Sequence, residues 1–203
     1  MNKLKDSYKT NNQKELLAHY DDWDTYEEDI AKSGYLGPIG CGALLNKYIH
    51  KDKKILEVGC GPGNIAKGLR MIGFKNIDGL DGSAGMVKRA SDTKLYNNVY
   101  QHIVDKNYFP TKDFDILVAM GCFTISHFPT GTMKTCFDNI KGGGYFCFSI
   151  TEKVKETIFK NEFEYVKKNS SLIDFTEPYE LAVSNQSSEK NTATVFLFRK
   201  NLI

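Results

Sequence analysis

The chain has 203 residues, 41% of them hydrophobic, with 13 Phe and 11 Tyr, which supplies a sizeable core and excludes a disordered chain. Lys and Arg number 27 against 25 Asp and Glu; the formal charge of +2 is scattered along the chain. That pattern excludes the electrostatic footprint expected for nucleic acid or an anionic membrane.

The length favours one domain over residues 1–203: a helical cap (1–50), a core (51–150) and a C-terminal helix with an antiparallel hairpin (151–203). Residues 1–50 read as one or two helices broken near the middle by Gly34, Gly37, Pro38 and Gly40. From Lys53 onward, strand candidates at 54–58, 75–80, 99–104, 114–120 and 144–150 alternate with helix candidates at 64–72, 84–90 and 130–141. Three of the strands are almost wholly apolar, as strands buried on both faces should be. Residues 151–169 follow as a charged helix, then strands at 179–184 and 192–199 form the hairpin. The expected fold is α/β: a Rossmann-like, doubly wound, mostly parallel seven-stranded sheet with an antiparallel C-terminal hairpin strand and an N-terminal helical lid.

No stretch approaches 18 consecutive apolar residues, and no hydrophobic segment follows the lysines at the start, so a soluble, cytoplasmic protein is expected. The five cysteines lack a Cys-x-x-Cys pair and read as reduced thiols. Four widely separated histidines give no support for a metal site.

The chemistry concentrates at Ile55-Leu56-Glu57-Val58-Gly59-Cys60-Gly61-Pro62-Gly63-Asn64, a strand ending in a carboxylate, then alternating glycines, then a helix. Such glycines let a ligand approach the backbone, and the helix start directs free N–H groups into the same crevice. Asp81, twenty residues after Gly61, stands where an acid accepts from both hydroxyls of a ribose. Asp105 closes the third strand, where a carboxylate can accept from an adenine amine.

These segments resemble the class I S-adenosylmethionine-dependent methyltransferases. Glu57 to Gly63 is similar to that family's first motif, while Phe114 to Val118 and Ile140 to Gly144 resemble its fourth strand and the turn before its fifth. Within that superfamily, His19 to Trp23, Asp81 to Met86 and Phe196 to Lys200 resemble the Williams–Beuren syndrome chromosome region methyltransferase-like proteins. The resemblance implies S-adenosylmethionine as cofactor and S-adenosylhomocysteine as product. It implies Gly59, Cys60, Gly61 and Gly63 along the methionine part, with Glu57 supporting the amino group. It further implies Asp81 at the ribose, Gly82 and Met86 flanking the adenine, Asp105 and Lys106 at its edge, and Gly121 or Cys122 beneath the sulfonium.

Other readings compete. Gly61 to Ala66 also fits the dinucleotide fingerprint of an NAD(P)-dependent oxidoreductase, but Pro62 lacks the N–H a pyrophosphate would seek. A non-catalytic cofactor-binding protein is a further alternative. Tyr20, Trp23 and Tyr26 at helical spacing are either a packing stripe or a lid, with Tyr20 the best lid candidate. Tyr20 and His127 are the candidate catalytic residues; Cys122 reads better as a small buried side chain than as a nucleophile. Without an Asn/Asp-Pro-Pro-aromatic run after the fourth strand, a small-molecule acceptor is expected first and a protein side chain second, with no nucleic-acid or membrane partner.

Overall fold

The structure, a computed structural model, describes residues 3–10, 12–106, 109, 114–181 and 192–202. Among them four helices precede the first strand: α1 (Lys3–Asp6), α2 (Gln13–Asp21), α3 (Tyr26–Lys32) and α4 (Gly37–Tyr48). This corrects the expectation of one or two helices. The chain turns at Gly34, and α4 starts with Pro38 in its first turn, where the missing N–H costs nothing. Gly40 lies inside α4 because the helix presses on the sheet there: a Cβ would stand 2.9 Å from the Val195 side chain.

The alternating core follows as β1 (Ile55–Val58), α5 (Asn64–Met71), β2 (Ile77–Asp81), α6 (Ala84–Asp92), β3 (Val99–Gln101), β4 (Ile116–Phe123), α7 (Thr132–Asp138) and β5 (Tyr145–Thr151). The tail contributes α8 (Glu152–Glu156), α9 (Lys160–Lys168), β6 (Ser170–Phe175), β7 (Tyr179–Glu180) and β8 (Thr192–Lys200). Strand order is β3-β2-β1-β4-β5-β8-β6, with β7 also paired to β8. β1 to β5 are mutually parallel, and β8 runs antiparallel to β5, β6 and β7.

The described residues thus form eight strands where seven were expected. The additional strand β6 is an edge with mixed exposure, so its sequence carries little alternation. The expected helix over 151–169 is two helices, because Phe159 turns fully into the core between α8 and α9. The hairpin forms at Tyr179↔Ala193 and Glu180↔Thr192; its remaining first arm and loop, 182–191, lie outside the described residues.

Side-chain alternation on the sheet builds two cores. Phe146, Phe148 and Phe198 face α7 and α9 together with Phe123 and Phe137. Cys147, Val195 and Leu197 face the opposite way, toward Cys41 and Leu45 of α4 and Ile65 and Leu69 of α5. The five cysteines are buried and unpaired. No described helix is long and apolar enough to cross a membrane.

The seven-residue α7 is held at both ends by ions from the tail. Glu162 accepts from the N–H groups of Gly131 (2.6 Å) and Lys134 (3.0 Å) at its start. The Lys200 ammonium donates to the carbonyls of Phe137 (3.1 Å), Asp138 (2.8 Å) and Ile140 (2.9 Å) at its end. Each charge opposes the helix dipole and satisfies groups that have no partner within the helix. Lys200→Met leaves those carbonyls without their donor, and we expect about 2 kcal/mol of lost stability, read as a lower urea midpoint at unchanged slope.

Candidate functional site

The C-terminal ends of β1, β2 and β4 and the loop after β3 border one cavity of about 110 Å³. Parallel strands all deliver their following loops to that edge. Ten of the residues singled out from the sequence line it: Tyr20, Tyr26, Gly59, Gly61, Asp81, Gly82, Met86, Gly121, Cys122 and His127.

Gly59 adopts φ +66°, and a Cβ there would stand 2.5 Å from the Cys122 sulfur. Only glycine lets β1 and β4 end side by side here. Cys122 is buried with its thiol donating to the Val58 carbonyl at 3.2 Å, and burial pushes its pKa upward. Asp81 joins two loops: one carboxylate oxygen accepts from Gly61 N–H and the other from Ser83 N–H, both at 2.9 Å. Burial raises its pKa, and these backbone donors oppose the rise. Each oxygen keeps a further lone pair for a ligand.

Glu57 lies beneath the loop, outside the cavity lining. It is 1% exposed and accepts from the Tyr96 hydroxyl at 2.8 Å. Burial pushes its pKa up to about 8, with the Asp81 charge adding to the rise and the Tyr96 bond opposing it. Cys60 and Gly63 also lie outside the lining; Gly63 caps α5 and faces the Tyr96 ring. β3 ends at Gln101, so His102, Ile103 and Val104 border the cavity where Asp105 and Lys106 were expected. Lys106 instead covers Gly131, whose Cβ position is 2.6 Å from the lysine Cβ.

The N-terminal helices roof the site. Asp21 accepts from the Ser83 hydroxyl (2.6 Å) and Gly85 N–H (2.8 Å), placing a carboxylate at the start of α6. A Cβ on Gly85 would stand 2.9 Å from the Asp21 Cα, so glycine permits this approach. Arg89 of α6 donates to the carbonyls of Trp23 (2.6 Å) and Asp21 (3.2 Å). Trp23 is fully buried, stacks on Tyr20 at 5.7 Å and donates to Asp29 at 2.8 Å. The aromatic stripe therefore divides its work: Trp23 packs, while Tyr20 and Tyr26 line the cavity.

Tyr20 and His127 meet across the mouth. The Tyr20 hydroxyl is 2.7 Å from His127 Nε2, and His127 Nδ1 is 2.7 Å from the Thr124 hydroxyl. Burial lowers the His127 pKa to about 4 and raises that of Tyr20, so both are neutral at pH 7. Sequence reasoning had no signal for Tyr96 under Glu57 and met Asp21 only within the His19 to Trp23 resemblance, with no role assigned; both contacts join residues far apart in the chain.

A sequence profile described as a methyltransferase domain matches residues 41–183. Methyltransferase-like protein 27 of Homo sapiens is 27% identical over 154 residues, covering 73% of this chain and 62% of that protein. The chain spans between 50% and 62% of the lengths of the curated relatives it matches. A crystal structure of the [4+2]-cyclase SpnF superposes with a TM-score of 0.71 at 14% identity, covering 96% of this chain and 98% of that one. A TehB-like S-adenosylmethionine-dependent methyltransferase from Corynebacterium glutamicum superposes at 0.61 and 19% identity, covering 91% and 99%. At such identities the solved structures show the fold alone.

Glu57 also makes stability depend on pH. Its folded pKa of about 8 exceeds the ordinary 4.5, so its contribution is fully present below pH 4.5 and is lost as pH rises toward 8. Glu57→Gln, which cannot ionise, should gain on the wild type by a few kcal/mol (order of magnitude) between pH 5 and 8 in urea melts.

Proposed function

The chain belongs to the class I S-adenosylmethionine-dependent methyltransferase family, and on that premise we propose that it transfers a methyl group from S-adenosylmethionine to a small-molecule acceptor. The observation that carries this reading is the Asp81 carboxylate. It is fixed by Gly61 and Ser83 N–H groups at the edge of a glycine-lined cavity, with lone pairs left for two vicinal hydroxyls. Asp81 would hold the ribose, Gly82, Met86 and Ile103 would enclose the adenine, and Gly59, Gly61 and Gly121 would leave room for the methionine arm. The bound cofactor supplies an electrophilic methyl on a cationic sulfur, and the protein's task is alignment of the acceptor with it.

A small acceptor suits the roof. The docking of α2 and the turn after it over the strand ends narrows the access that a macromolecule would need. The dinucleotide alternative fits less well, since Asp81 already receives the Gly61 N–H that would otherwise face a phosphate.

In calorimetry, S-adenosylmethionine and S-adenosylhomocysteine should bind while NAD and NADP do not. Asp81→Asn should weaken both methionine nucleosides by roughly tenfold or more, because an amide loses one charged acceptor oxygen. Unchanged affinity in that variant refutes the ribose assignment.

A further inference from the structure

Several polar groups of the cavity lining are already engaged by other parts of the protein. None of the described residues lining the cavity is Lys or Arg, so none of them neutralises an anionic acceptor. Both ring nitrogens of His127 are already engaged, by Tyr20 and Thr124. The Asp81 oxygens accept from Gly61 and Ser83, and Cys122 is buried with its thiol on the Val58 carbonyl. His102, just past the end of β3, also lines the cavity, and its backbone N–H donates to the Asp81 carbonyl at 2.8 Å.

Two tyrosine rings line the same mouth. The Tyr26 ring lies 3.9 Å from where a Gly61 Cβ would stand. The Tyr20 ring centre is 6.0 Å from that of Tyr26 and 5.7 Å from that of His127. The two tyrosines therefore bridge from the glycine loop to the loop after β4. A tyrosine face attracts a cation, and both half-buried rings line the cavity wall.

Resting on the methyltransferase reading, we propose that Tyr20 and Tyr26 form a cation-accepting subsite and that the acceptor is a small neutral amine. Its nitrogen lone pair forms the new N–C bond while the C–S bond breaks and leaves its electron pair on sulfur. The positive charge passes from sulfur to nitrogen, and no proton leaves during the transfer. An engaged, neutral His127 is then no obstacle; it acts as a positioning residue that holds the Tyr20 ring over the mouth.

The first test needs no turnover. N-methylpyridinium, a stand-in for the charged product, and benzoate, its anionic counterpart, are titrated by NMR into wild type, Tyr20→Phe and Tyr20→Leu. The cation should bind and benzoate should not; Tyr20→Leu should bind it about tenfold more weakly than Tyr20→Phe, which keeps the aromatic face. Equal binding of benzoate, or equal affinity in the two variants, overturns the subsite.

The second test follows methylation of aniline, benzylamine and phenol across pH with S-adenosylmethionine. The two amines should be methylated in preference to phenol, and the inflection should move with the basicity of the amine. A preference for phenol, an inflection fixed at one pH for both amines, or no transfer to either amine by protein that binds S-adenosylhomocysteine overturns the acceptor class. Failure of the wild type to bind either methionine nucleoside is a different result and refutes the methyltransferase reading itself.

Discussion

The site depends on one carboxylate whose two oxygens are committed to two different loops. Asp81 accepts from Gly61 after β1 and from Ser83 after β2, and so sets the spacing between the starts of α5 and α6. Glu57 lies one strand away, and two carboxylates this close cannot both ionise cheaply in a buried setting. Their surroundings separate them. Backbone N–H groups oppose protonation of Asp81, while burial outweighs the Tyr96 and Ala66 donors at Glu57 and pushes its pKa up to about 8. The backbone donors favour the charged form of Asp81, at the position where a ligand's hydroxyl pair can use it.

Ser83 extends that constraint to the roof. Its N–H goes to Asp81, its hydroxyl goes to Asp21, and its oxygen accepts from Met86 N–H as the cap of α6. One serine thus couples the cavity acid Asp81, the N-terminal helices and the helix whose first turn borders the cavity. Arg89, two turns along α6, completes the hold through the Trp23 carbonyl. The roof's position consequently reports on the geometry of the strand ends, and a ligand that reorients Asp81 reaches the roof through two hydrogen bonds.

Much of this was legible in the sequence, and the boundary has a physical basis. Apolar runs such as Ile116 to Met120 announce strands buried on both faces, and the Glu57 to Gly63 pattern announces a sharp turn into a helix. Gly59, Gly61, Asp81 and Gly121 reach the cavity because strand ends fix them directly. Asp105 and Lys106 do not line it because β3 is short and the chain leaves the sheet at Gln101, which puts Ile103 at the rim. Strand β6 escaped because an edge strand need not alternate. Asp21, Tyr96 and Arg89 escaped because their partners lie 39 to 68 residues away, beyond any local pattern.

The last link is long-range and electrostatic. His127 holds Tyr20, and His127 belongs to the segment between Gly121 and α7. That segment is anchored at β4 by the Gly121 N–H donating to Ser149 of β5 at 2.8 Å. Its far end is anchored by α7, and α7 is too short to hold itself by helical hydrogen bonds alone. Glu162 from α9 and Lys200 from β8 supply what it lacks. The antiparallel edge, distant from the cavity in sequence, therefore fixes the loop that holds the Tyr20 ring at the cavity mouth. Weakening that edge should loosen the loop before it unfolds the parallel core, because the loop's rigidity rests on two ions while the core rests on packed apolar side chains.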